Sequence, residues 1–123
     1  MYSPQVIDHH KNPRNVGMIK DADGVGTVGT PASGEMIKFW IRVHCGRIVS
    51  ASFKAFGCPT VIAAGSVATQ LATDTTIEEA LKITNRQIDD ALGGLPPDKK
   101  HYAIDAQNVV QSAINDYISK VTD

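Results

Sequence analysis

From Met36 onward the chain alternates. Ile37, Phe39, Ile41 and Val43 fall on one side of the alternation and Met36, Lys38, Trp40 and Arg42 on the other. After Cys45-Gly46-Arg47 the pattern resumes, with Val49, Ala51, Phe53 and Ala55 separated by Ser50, Ser52 and Lys54. A period of two belongs to a strand with one buried face, and two such runs around a glycine-containing turn predict an antiparallel hairpin. Both apolar sets must lie on the same buried face, because a one-residue slip would turn a whole set toward water. That condition pairs Val43 with Val49, Ile41 with Ala51, Phe39 with Phe53 and Ile37 with Ala55. Continued further, it sets Cys58 opposite Gly34, between Ser33 and Glu35, and leaves Cys45 in the turn at the far tip. Upstream, residues 14–34 hold five of the ten glycines, and only GVGTVGT reads as another strand.

The remaining pattern is helical. Ser3 is placed to cap a short helix that opens at Pro4 and stops at Asn12-Pro13, since proline disfavours helix in the residue before it. Pro59 suits a first helical turn, and Val61, Ile62, Gly65, Ala68, Thr69, Leu71 and Ala72 continue that helix to about Thr73. Thr76-x-x-Glu79 and Thr84-x-x-Gln87 are capping-box patterns that open two short helices, and Gly93-Gly94 stops the second. After Leu95-Pro96-Pro97, helical spacing runs from Ala106 through Val109, Val110, Ala113, Ile114, Tyr117 and Ile118 to Val121. Strands first and helices after predict an α+β domain: a small three-stranded antiparallel sheet packed against helices on one face. No repeat or linker divides the chain, so residues 1–123 read as a single domain.

Composition narrows the setting more than the activity. A chain of 123 residues with 42% hydrophobic and 20% charged residues has the make-up of an ordinary soluble domain. No apolar run approaches the roughly 20 residues needed to cross a bilayer, and the N-terminal stretch has no secretory core, so a cytoplasmic protein without membrane contact is expected. The net charge of −1 conceals seven Lys/Arg against four Asp/Glu in residues 1–59 and five against nine in 60–123. Neither half is basic enough to suggest a nucleic-acid partner.

Two cysteines in a reducing compartment are free, metal-bound or catalytic more often than bridged. The hairpin places Cys45 and Cys58 roughly 30–40 Å apart, far beyond the reach of a disulfide. Only Cys58 sits where loops converge, before a proline at a helix N-terminus, where the helix dipole favours thiolate. It is either a nucleophile or metal ligand, or a small side chain filling a strand-to-helix corner. Glu35 across the hairpin offers a carboxylate, or is simply solvated. His101 opens the last helix as a ligand or a surface residue. His9 and His10 are neighbours on one helix and point to different faces, which argues against joint ligation and assigns them packing and surface roles. Cys45 shares the hairpin tip with His44, and its role is open.

The segments VIDHHKNPRNVG (6–17), GTPASGEMIKFWIRV (29–43), FKAFGCPTVIAAGS (53–66), GGLPPDKKHYAIDA (93–106) and AINDYISK (113–120) together resemble, in order and over essentially the whole chain, the IscU/NifU N-terminal family of iron–sulfur cluster assembly scaffolds. The resemblance implies an α+β fold and a [2Fe–2S] cluster built on three cysteines plus an aspartate or histidine. Its implied partners are a cysteine desulfurase as sulfur donor and a heat-shock-type chaperone. The family's first cysteine lies in a P-x-C-G-D pattern, which here reads Pro31-Ala32-Ser33-Gly34-Glu35. Cys58 matches the second. His101 is retained, but Tyr102 stands where the third would follow. The chaperone-recognition segment LPPVK reads Leu95-Pro96-Pro97-Asp98-Lys99, with a charge in place of valine.

Iron–sulfur clusters are held mainly by thiolates, and a serine oxygen suits thiophilic iron poorly. A stable [2Fe–2S] cluster on one such chain is therefore not expected. Cys58, His101 and Glu35 leave an open site for a mononuclear zinc or iron ion. The expected function is a degenerate scaffold-type protein of cluster assembly holding such an ion. The alternative is a metal-free module that docks on a desulfurase or a complete scaffold. An enzyme using Cys58, His101 and Glu35 is disfavoured, because no oxyanion site or substrate pocket is readable.

Overall fold

The hairpin sets the frame, and its turn sets the register. In this computed structural model, which describes residues 2–121, β2 (Glu35–His44) and β3 (Arg47–Phe56) pair antiparallel, with Ile37 opposite Ala55, Phe39 opposite Phe53 and Ile41 opposite Ala51. Met1, Thr122 and Asp123, the ends of the single domain expected over 1–123, lie outside the described residues. The pairing expected of Val43 with Val49 is not formed: a bulge after Arg42 shifts Val43 to Ile48. Cys45 and Gly46 both have positive φ, 52° and 74°, as a two-residue type I′ turn requires, and this turn fixes His44 opposite Arg47. The bulge buries Ile48 completely and leaves Val49 43% exposed.

Strand β1 (Gly24–Thr30) pairs with β2 to complete a three-stranded antiparallel sheet in the order β1-β2-β3. Helices cover its inner face, where Ile37, Phe39, Ile41, Ala51 and Phe53 are buried. They are α1 (Pro4–Lys11), α2 (Pro59–Ala72), α3 (Ile77–Leu81), α4 (Asn85–Ala91) and α5 (His101–Val121). The architecture is the α+β arrangement expected, with α2 on β3 and α5 on β1 and β2. Ser3 caps α1 by accepting from Val6 N, and both capping boxes, Thr76 with Glu79 and Thr84 with Gln87, are closed. Helix α5 reaches the sheet over glycine: a Cβ on Gly26 would stand 2.6 Å from both Val109 O and Ala113 N. The GVG of β1 is therefore a seat for the last helix.

The outer edge of β3 is also occupied. Phe53 N donates to Asn15 O (3.0 Å) and Gly17 N to Phe53 O (2.9 Å), so residues 13–17 run along the strand as a strap. Nearer the hairpin tip, Ile48 N donates to Thr75 O and Asp74 N to Ile48 O.

Candidate functional site

The end of β3, the start of β2 and the start of α5 meet at one corner of the sheet. Beyond Phe56 the chain turns at Gly57 and enters α2 through Cys58, an extended N-cap residue whose side chain makes no capping hydrogen bond. The thiol is half-buried at the end of the helix where unpaired N–H groups leave a partial positive charge. Glu35, the first residue of β2, lays its side chain against Gly57, where a Cβ would come within 2.9 Å of Glu35 Cγ.

Between these two groups stands Tyr102. It is only 8% exposed, and the neighbouring His101 ring tilts against it with centroids 4.0 Å apart, although His101 itself is exposed. Burial, then hydrogen bonding to Cys58 and to Glu35, pushes the Tyr102 phenol far above its ordinary value. The phenol therefore stays protonated through the physiological range, close to both the thiol and the carboxylate. Asp105, one turn further along α5, has its carboxyl raised by burial, with His101 opposing and Glu35 adding to the shift. Sequence reasoning missed Asp105. The spacing of four from His101 on one helix was the signal that could have found it.

Ser33 plays a different part. Its Oγ lies 2.8 Å from Thr30 O and 3.0 Å from Glu35 O, and accepts from Thr30 N at 3.3 Å. The hydroxyl is committed to closing the turn between β1 and β2. The corner thus offers one thiol, one protonated phenol, a carboxylate and an exposed imidazole. Among the described residues no three His, Cys, Asp or Glu side chains gather as a metal-binding group, so Cys58, His101 and Glu35 share the corner without converging. This donor set does not fit a [2Fe–2S] cluster, which needs several thiolates.

The candidate partner segment lies on the adjoining side. Leu95 is buried in the core, Pro96 and Lys99 are half-buried, and Pro97 is exposed. Leu95, Pro96 and Lys99 line an open cleft of about 330 Å³ with Tyr2, Val6 and Thr60, and Lys99 Nζ lies 5.5 Å from the Tyr2 ring centroid. Leu95 shows only 5% of its surface, so most of its side chain reaches a partner only if this segment leaves the core. Cys45 is exposed at the hairpin tip and, like Cys58, is a free thiol, so the two are not bridged. His10 is on the surface and His9 is packed, as expected. No helix among the described residues is long and apolar enough to cross a membrane.

Residues 1–123 match the NifU-like N terminal domain family. The chain is 51% identical over 120 residues to "Iron-sulfur cluster assembly scaffold protein IscU 1" of Archaeoglobus fulgidus, covering 98% of this chain and 78% of that protein. It is 41% identical over 121 residues to "Iron-sulfur cluster assembly scaffold protein IscU" of Aquifex aeolicus, covering 97% and 77%. Among solved structures, FiSufU from Fervidobacterium islandicum AW-1 superimposes with a TM-score of 0.77 at 18% identity, covering 92% of this chain and 96% of that one. A NifU-like protein (N-terminal) from Brucella abortus gives 0.69 at 15% identity, covering 97% and 95%. At those identities the structures speak to the fold alone.

Proposed function

The chain belongs to the NifU-like N-terminal domain family, and from that premise we propose that it serves iron–sulfur cluster assembly as a scaffold-type protein that does not carry a complete cluster by itself. The carrying observation is Tyr102. A buried phenol close to Cys58 and Glu35 occupies the place where the family resemblance sets a third cysteine. Iron and sulfide are cargo in this pathway, and the one thiol at this corner is too few soft donors to retain them as a diiron centre.

Within that role the closed corner favours docking without metal, on a cysteine desulfurase or on a complete scaffold. A second reading keeps a mononuclear zinc or iron ion on Cys58, His101 and Glu35. It is favoured by the survival at one corner of a thiol, an imidazole and a carboxylate, a set that suits an open tetrahedral site. Withdrawal of Tyr102 from between Cys58 and Glu35 is the conformational step it requires. The heat-shock-type chaperone implied for Leu95, Pro96, Pro97 and Lys99 is the weaker partner, because Asp98 puts a charge in that segment and Leu95 is buried. No catalytic residue is assigned. A reducing, cytoplasmic setting belongs to the same proposal, in keeping with two free thiols.

The test is anaerobic purification followed by metal counting and co-purification with a cysteine desulfurase. Metal-free protein that still binds the desulfurase supports the docking form. Stoichiometric zinc or iron that is lost in Cys58→Ala supports the mononuclear form. A brown monomer carrying two irons per chain would overturn both.

A further inference from the structure

The open cleft of about 330 Å³ between the start of α1 and residues 94–99 carries polar groups that the fold leaves unused. Most of its wall is apolar, built by Tyr2, Pro4, Val6, Leu95 and Pro96. Thr60, on the first turn of α2, also lines it. That residue is fully buried, and its hydroxyl has no hydrogen-bond partner among the described residues, a standing cost to the fold. Ser3, the other aliphatic hydroxyl of the wall, is committed: it donates to Leu92 O and accepts from Val6 N. Lys99 holds its ammonium 5.5 Å from the Tyr2 ring centroid and forms no ion pair among the described residues. No carboxylate lines the cleft, and Asp98 is exposed outside it. The first-turn amides of α2, which lack acceptors within the helix, add positive character beside Thr60.

We propose that this cleft binds a small organic carboxylate, whose hydrocarbon body lies on the apolar wall while its anionic group answers Lys99 and gives the Thr60 hydroxyl an acceptor. The two polar features decide the class. A neutral apolar molecule would leave the Lys99 charge unanswered, and a bare inorganic anion would leave the apolar wall in water. The volume, at the low end of the roughly 300–1,000 Å³ of small-molecule sites, suits a body of about one ring. An acceptor seated against Thr60 supplies the partner that the protein itself does not, and a hydrogen bond to a charged group is about twice as strong as one between neutral groups. The site is separate from the Cys58 corner and stands whether or not that corner holds metal.

Titration with benzoate, followed by amide NMR shifts, tests the cleft with a defined probe. The amides of Thr60 and Gly94 should shift and saturate with a Kd of about 1 mM, a reasonable affinity for so small a ligand. Benzamide, which keeps the ring and a carbonyl but not the charge, should bind about tenfold more weakly. Lys99→Met, which keeps the apolar stem, should bring benzoate and benzamide to equal affinity. Thr60→Val should weaken both by about fivefold. Shifts that stay linear up to about 20 mM benzoate would overturn the proposal, as would shifts centred on the separate cleft lined by Asn85, Arg86 and Lys100. Equal affinity for benzoate and benzamide in the unaltered chain would do the same, and so would a charge preference that survives Lys99→Met or full affinity in Thr60→Val. The comparison of the two probes needs no variant, so it decides even where one fails to fold.

Discussion

Replacing Gly26 by alanine tests whether the corner is positioned by the seat of α5. The added Cβ would meet Val109 O and Ala113 N at 2.6 Å and Ser112 Cβ at 2.9 Å, where ordinary contact begins at 3.4 Å. Two of the three atoms are helix backbone, which cannot swing aside as a side chain can. The helix must therefore retreat by about 0.8 Å or the strand must buckle. Overpacking of this kind costs about 1–3 kcal/mol, and contact with backbone on both sides puts this case at the upper end. Alanine recovers roughly 0.5–1 kcal/mol by restricting the unfolded chain. The net loss should be about 2 kcal/mol. Urea denaturation at a typical slope of about 1–1.5 kcal/mol/M would show it as a midpoint lower by roughly 1.5 M, with unchanged slope. Because α5 carries Tyr102 on its first turn, the same displacement should draw the phenol from Cys58 and speed alkylation of that thiol in the folded state. Gly94→Ala is the control: its φ of 82° is strained for alanine, but nothing lies within 4 Å of the new Cβ. If Gly26→Ala is no less stable than Gly94→Ala, the close-approach reasoning is wrong.

Other consequences follow from the corner and the core. The double variant Ser33→Cys, Tyr102→Cys should acquire visible absorption on anaerobic reconstitution with iron and sulfide, while the unaltered chain stays colourless; equal colour in both would remove the donor-set argument. Thr60 is fully buried and its hydroxyl has no partner among the described residues, so Thr60→Val should raise stability by about 1 kcal/mol in urea titrations, and a loss of that size would show that the hydroxyl is satisfied. Asp116 is held below the usual carboxylate range by its hydrogen bond to Lys120 and then by Val25 N, while burial opposes. Its contribution is present above the unfolded carboxylate value and is lost as pH falls through the depressed folded one. Asp116→Asn should therefore flatten the acid limb of a stability–pH curve measured by urea midpoints, and an unchanged limb would count against the assignment.

What was legible in the sequence was local chemistry. Alternation over Ile37 to Val43 and Ala51 to Ala55, the two capping boxes and the proline-opened helices all depend on residues within a turn of one another, and all formed. The bulge was not legible, because alternation counted back from Ala51 reaches Val49, whereas the turn residues bring Ile48 inward. Gly24 and Gly26 were legible as part of a strand, with no visible reason to be glycine. Their use emerges only when a helix more than eighty residues away is laid on them. At the corner, register and family resemblance together brought Cys58, Glu35 and Tyr102 to one place. Tyr102 read as the loss of a thiol. The structure adds that its phenol is buried beside Cys58 and Glu35, and adds Asp105 behind it.

Phe53, tied to the strap, and Ile48, tied to residues 74–75, cover two points along the row of amide and carbonyl groups on the outer side of β3. A sheet this small has no fourth strand to shield that row, and stripping the strap would create a template for edge-to-edge polymerisation. A variant that loses the strap should therefore grow oligomers on storage while the unaltered chain does not.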